Sequence, residues 1–295
     1  MDSILDVITG KAPMEAFDCK HLLAWVRANE WHAPVIACVS YVLLIFVIIP
    51  AIRWKVAPGY VKHLFALWNL ILSIFSTFGF AIGAPYVYRQ LSTHGLQHLV
   101  CSDKLMLGTK DDDAACYGTI GFAMSLFMLS KFPELGDTFF LAGMKKPLSF
   151  LHWYHHITVL LYSWFAYTNA TPTAVTFGTI NFGVHSVMYF YFCFANYTRK
   201  LGFMRKPITT IQLLQMAIGV SLTLLAYYFQ QTTGCSATYT DSGFYLFCSC
   251  IYGSLCSSRS CTSTTTSPRR TRRKLPMPRR PLRKTREKLV HDACE

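Results

Sequence analysis

The chain has 295 residues, of which 52% are hydrophobic and only 15% charged, and its mean hydropathy is +0.30. A soluble domain carries about a quarter charged residues, so the composition excludes an ordinary water-soluble enzyme and points to a membrane protein. The net charge of +13 is no argument for nucleic acid: twelve Lys or Arg and three Asp or Glu fall within 259–295, a stretch without stacking aromatics, and a membrane neighbour explains them.

Acidic and basic residues (Asp2, Asp6, Lys11, Glu15, Asp18, Lys20) precede any apolar run, and no small-residue cleavage site follows one. The first spanning helix is therefore expected to direct insertion as well. Crossing about 30 Å of hydrocarbon takes about 20 helical residues. Apolar stretches predict spans at 32–53, 65–86, 115–129, 148–167, 173–194 and 208–229, with a shorter seventh at 243–256. The third is short and needs lengthening from its flanks.

Connections one to two, three to four and five to six carry the basic residues, among them Lys55, Lys62, Lys145, Lys146, Arg199, Lys200, Arg205 and Lys206. The second-to-third connection carries Asp111, Asp112 and Asp113. The positive-inside rule then puts the odd connections in the cytoplasm and the N-terminus outside or in a lumen, and seven spans bring the basic tail to the cytoplasm. Residues 1–258 read as one transmembrane catalytic unit. Residues 259–295, rich in Ser, Thr, Pro and Arg, read as a disordered tail.

The predicted fourth span holds His152, His155 and His156 at i, i+3, i+4, on one helical face. Histidine at hydrocarbon depth calls for a polar interior, a metal or a reaction. Hydrogen-bonded core residues are one reading and metal ligands a second. A diiron oxygenase, however, needs about eight clustered histidines, and most of the ten here lie elsewhere. Metal-free nucleophilic or acid–base chemistry is the third reading.

Lys131, Glu134 and Asp137 recur every third residue, so a helical turn is expected to gather them, with Pro133 in a first turn. A capped interfacial helix would explain them. So would a carboxylate orienting a histidine, with a lysine near the cytoplasmic mouth. The fifth span places Asn181, His185, Met188 and Tyr189 along one face, and the sixth places Gln212 and Gln215 at i, i+3. Such amides serve either as interhelical glue or as the lining of a polar cavity.

Taken together, K-x-x-E-x-x-D-T at 131–138, H-x-x-H-H at 152–156, H-x-x-M-Y at 185–189 and T-x-x-Q-x-x-Q at 209–215 give the chain a specific resemblance to the ELO family of very-long-chain fatty acid elongases. The resemblance implies an all-α polytopic fold of seven transmembrane helices, with helices two to seven forming a barrel around an acyl tunnel. It also implies the reaction: acyl-CoA and malonyl-CoA, as substrates, give 3-oxoacyl-CoA, carbon dioxide and CoA, with no metal and no cofactor. His155 and His185 are implied as the central catalytic pair, with His152, His156, Asp137 and Asn181 in support. Lys131, Glu134, Tyr189, Gln212 and Gln215 are expected on the substrate side. The implied setting is the endoplasmic reticulum membrane, with lipid, a second copy of the chain and the reductases and dehydratase of the elongation cycle as partners. An iron-dependent desaturase or hydroxylase and a non-catalytic seven-helix receptor are the competing classes.

The chain departs from the family pattern at Phe192, where a second tyrosine is usual, and after Leu255, where Ser and Thr replace an aromatic-rich span. Two expectations remain. Cys101 and Cys235 both fall in connections on the oxidising side, and a disulfide is expected between them. Tyr227, Tyr228 and Phe229, near the far end of the sixth span, are expected to stop the acyl chain by overpacking.

Overall fold

A computed structural model describes residues 4–51, 58–195 and 197–235. The described residues are helical throughout apart from turns and one isolated antiparallel bridge, Asp18 to Tyr117. In chain order the helices are α1 (Ile4–Ile8), α2 (Lys20–Ala28), α3 (His32–Leu43), α4 (Ile49–Ala51), α5 (Pro58–Cys101), α6 (Lys104–Leu107), α7 (Gly118–Glu134), α8 (Asp137–Gly143), α9 (Phe150–Thr168), α10 (Thr173–Ala195) and α11 (Arg205–Thr232). A π-helical turn at Leu44–Ile48 joins α3 to α4 without a break. Three stretches are long and apolar enough to cross a bilayer, His32–Ala51, Gly59–Cys101 and Lys200–Thr232, and the protein is a multi-pass membrane protein. The predicted seventh span and the basic tail lie outside the described residues.

Each of the six firmly predicted spans coincides with a helix, but two boundaries moved. The second helix runs on to Cys101, interrupted only at Gly95, whose φ of 78° belongs to the left-handed region that glycine tolerates. The third reaches Glu134, five residues beyond the predicted end. Pro133 accordingly sits in the last turn of α7 and not in a first turn. It cannot donate a backbone hydrogen bond, and the chain turns at Leu135 and Gly136 before α8 begins at Asp137.

The largest helix–helix contact is between α5 and α10. Two glycines allow the approach: a Cβ on Gly79 would run into the Phe182 ring, and one on Gly83 into Thr179. Lipid gives helices no hydrophobic drive to associate, so this close dispersion contact and the hydrogen bond from Ser73 to the Ser186 carbonyl (2.9 Å) hold the pair. The outward faces of α3, the π-helical turn after it and α5 expose large apolar side chains such as Ile36, Phe46, Ile71 and Ile74, as a lipid-facing surface requires.

Two disulfides lie at the end of the bundle where α5, α9 and α11 finish. Cys101 pairs with Cys235, and Cys19 pairs with Cys116. The second was not anticipated. It ties the N-terminal segment to the start of α7, helped by backbone hydrogen bonds from Cys19 to Cys116 and from Gly118 to Phe17, both 3.0 Å. At the same end Arg27 donates from Nε to the Thr168 carbonyl at 3.0 Å.

Candidate active site

The histidine box opens α9. Ser149 caps the helix, its hydroxyl accepting from the His152 amide at 3.2 Å. Helical spacing brings His152 edge to face with His156, ring centroids 4.6 Å apart, with His155 and His156 at 5.9 Å. His152 Nε2 lies 2.9 Å from Thr138 Oγ1, which lies 2.6 Å from the buried Tyr41 hydroxyl. The Tyr41 ring meets His156 edge to face at 6.2 Å. Three helices, α3, α8 and α9, thus fix the orientation of two of the three imidazoles.

α10 supplies the second half. His185 and Tyr189 are buried, one turn apart, with ring centroids at 5.3 Å. Tyr189 donates its hydroxyl to Asp137 Oδ2 at 3.3 Å, and Trp68 Nε1 donates to Asp137 Oδ1 at 2.6 Å. The carboxylate expected to orient an imidazole is therefore held by a phenol and an indole. The residue beside it in sequence, Thr138, is the one that reaches the histidine box. Leu135 and Gly136 keep a right-handed helical backbone between α7 and α8, so Asp137 stays within electrostatic reach of Lys131 and Glu134 while its hydrogen bonds go to α5 and α10.

Lys131 and Glu134 stay together in α7. Their ion pair, Nζ to Oε1, is 2.8 Å, and Ser130 adds a hydrogen bond to the same oxygen at 2.9 Å. Both side chains are buried, at 3% and 6% exposure, so Lys131 is not an exposed lysine at a mouth. Its remaining donors reach Asn181 Oδ1 at 3.5 Å, and its ammonium lies 4.3 Å from the centroid of the Phe127 ring. Lys131 carries Asn181 into the arrangement from the opposite helix.

Between α7, α9, α10 and α11 lies a narrow cavity, partly open at its edges. His155, Asn181 and Gln215 contribute polar groups to it; the rest of the lining is mostly apolar, including Met124, Phe127 and Val159. From His155 to Tyr167, both on its wall, α9 advances about 18 Å at 1.5 Å per residue. An imidazole nitrogen at one end of a long apolar slot is equipped to attack an activated acyl group whose chain lies in the slot. Gln212 does not line this space; it donates to Met188 Sδ at 3.2 Å and so joins α11 to α10.

A family model described as ELO, the GNS1/SUR4 family, matches residues 26–258, most of the chain. The chain belongs to the ELO family. It is 45% identical over 172 residues to the very long chain fatty acid elongase 6 of Drosophila melanogaster, an alignment covering 58% of this chain and 52% of the fly protein. It therefore spans about half of that relative. Longer alignments exist with the very long chain fatty acid elongase 3 of Mus musculus, at 38% identity over 229 residues (76% of this chain and 78% of the mouse protein), and with fatty acid elongase 3 of Trypanosoma cruzi (strain CL Brener), at 32% over 235 residues (74% and 78%).

In this ELO protein the side chains named from the sequence fall into two connected groups. His155, Asn181 and Gln215 border the cavity. His152, His156, His185, Tyr189 and Asp137 form the packed and hydrogen-bonded frame beside it, with the Lys131–Glu134 pair joining frame to cavity through Asn181. Sequence reasoning missed Tyr41, Trp68 and the Ser125–Tyr167 pair. Tyr41 and Trp68 sit in long apolar runs whose periodicity reports only burial. A phenol and an indole with polar tips inside such runs were the available signal. Cys19 and Cys116 could have been paired by their shared place on the side that the loop charges predict to be oxidising. The aromatics proposed as stops do not reach the cavity: Tyr227 and Tyr228 are exposed at 48% and 59%, and Phe229 packs on Val100, Cys101 and Ala226. α11 contributes Gln215 and Met216 to the cavity instead.

Proposed function

We propose that this chain elongates fatty acids by condensing an acyl-CoA with malonyl-CoA to 3-oxoacyl-CoA, carbon dioxide and free CoA. The observation that carries the reading is the apolar cavity with His155 on its wall and Asn181 and Gln215 beside it. In this reading His155 attacks the thioester carbonyl: a C–N bond forms, the C–S bond breaks and CoA leaves as the thiol. Malonyl-CoA then loses carbon dioxide, and its enolate carbon attacks the acyl-imidazole. The new C–C bond releases His155. His185 handles the proton traffic, and Asn181, positioned by Lys131, donates to the developing oxyanion. His152 and His156, held by Thr138 and Tyr41, keep the box rigid. The mostly apolar lining of the slot also limits water beside the acyl-imidazole.

The reading includes seven spanning helices, with helices two to seven forming the barrel around the slot, in the endoplasmic reticulum membrane. Both disulfides lie at one end of the bundle, which supports that end facing an oxidising lumen and the histidine-box end facing the cytoplasm. Lys145, Lys146, Lys200, Arg205 and Lys206 then lie on the cytoplasmic side, where CoA phosphates arrive. Purified protein given acyl-CoA and radiolabelled malonyl-CoA tests the reaction: label in an acyl product two carbons longer supports it. An oxygen-dependent product that requires iron, with no two-carbon addition, rules it out.

A further inference from the structure

The cavity has a floor, and the floor is built from residues that the catalytic reading does not use. At the end remote from His155 it is bounded by Met106, Tyr167 and Val175. All three are buried, and Val175 is fully so. The Tyr167 hydroxyl is locked to Ser125 Oγ at 2.8 Å across the α7–α9 contact. Tyr167 faces two ways. One side lines the cavity, and the other packs in a cluster with Phe17, Leu23, Val26 and Trp164. Three of those four side chains come from the N-terminal segment. That segment cannot drift away, because Cys19 is covalently joined to Cys116 and Arg27 bonds the Thr168 carbonyl one residue past Tyr167.

We infer that Tyr167, backed by the N-terminal segment and assisted by Met106, is the stop that sets the longest acyl chain this protein accepts. The inference rests on the elongase reading and names the specificity element of its substrate site. A ring pinned on its far side cannot rotate out of the way, so each further CH₂ group beyond the floor must overpack or stay out of the slot. Removing the ring opens space in line with the chain. The cluster behind it belongs to a segment fixed by a disulfide, so the extra space is not refilled by collapse.

The test uses the full chain in detergent or liposomes with a series of acyl-CoAs of increasing length and radiolabelled malonyl-CoA. The readout, taken within each variant, is the ratio of elongation of the first rejected chain to that of the longest accepted one. Tyr167→Ala raises this ratio roughly tenfold, the worth of two additional CH₂ groups gaining a place in the slot. Tyr167→Phe keeps the bulk, loses only the bond to Ser125, and leaves the limit where it was. Cys19→Ser loosens the backing and shifts the ratio the same way as Tyr167→Ala, by less. An unchanged limit in Tyr167→Ala, or an equal shift in Tyr167→Phe, overturns the inference. Where Tyr167→Ala does not fold, Met106→Ala decides on the same criterion. An acyl-CoA of the longest accepted length with a terminal diazirine needs no turnover. Light labels Tyr167 or Met106 if they form the floor, and labelling confined to other residues overturns it. Label at the floor without two-carbon addition would instead dismiss the elongase reading and keep the stop.

Discussion

At Asp137 two neutral donors, the Trp68 indole and the Tyr189 phenol, converge on one carboxylate, and neither belongs to the histidine box. The carboxylate therefore positions Tyr189, and through it the neighbouring His185 ring at 5.3 Å. Asp137→Asn replaces one acceptor oxygen by a donor that faces another donor. The expected loss is roughly ten- to a hundredfold in kcat, the worth of a charge-assisted hydrogen bond, with KM nearly unchanged. Steady-state kinetics with saturating malonyl-CoA measure it, and an equal change in KM alone would return Asp137 to a structural role. His155→Ala and His185→Ala bear on the chemistry itself. Each is expected to lower condensation by at least about a hundredfold while size-exclusion profiles stay those of the parent. Near-normal turnover in either variant would show that its imidazole has no part in the reaction.

The scale of the helix brings out the buried Lys131–Glu134 pair. It bridges one turn of α7 and presents its remaining charge to Asn181 on α10. Two charges out of water hold each other, so removing one leaves the other uncompensated. Lys131→Met is expected to destabilise the protein by about 3–5 kcal/mol, and Lys131→Met with Glu134→Leu by clearly less. Thermal unfolding in detergent followed by tryptophan fluorescence compares them; equal losses in the single and double variants would deny the pair its mutual role. Close helix approach gives a second prediction at this scale. Gly79→Leu pushes the Phe182 ring away and separates α5 from α10, which carries both His185 and Asn181. Activity and thermal stability should fall together, by about 1–3 kcal/mol in stability.

For the whole molecule, the two disulfides close loops of 97 and 134 residues and tie the N-terminal segment, α7, α5 and the end of α11 into one end of the bundle. Breaking either is expected to cost about 2–5 kcal/mol. Peptide mapping under non-reducing conditions should recover Cys19 with Cys116 and Cys101 with Cys235, while Cys38 and Cys193 are alkylated directly. Free alkylation of all four bridged residues would contradict the arrangement. The same end gathers Asp113, whose carboxylate accepts from Arg89 at 2.6 Å and from Gln90 at 3.0 Å, and whose carbonyl accepts from Tyr86 at 2.8 Å. The acidic run that set the predicted orientation also stitches the loop after α6 back to α5.

Much of this protein could be read from its order of residues alone. Long apolar runs had to be helices, because a backbone in hydrocarbon must satisfy its own hydrogen bonds, and six of those helices are where hydropathy put them. Helical periodicity brought His152 against His156 and set Asn181 and His185 on one side of α10 for the same local reason. What spacing could not decide was where the helices turn and what they meet. The hydrogen bonds of Asp137 go to Trp68 and Tyr189, partners 69 and 52 residues away in sequence, which spacing within one helix could not show. The face of α11 that meets the cavity, the Tyr41–Thr138–His152 chain and the N-terminal backing of Tyr167 likewise come from three-dimensional packing. Periodicity is a property of one helix and its hydrogen bonds. Choosing which of several apolar faces points inward takes the shapes and polar tips of side chains from all the helices at once, and that choice exists only in the folded protein.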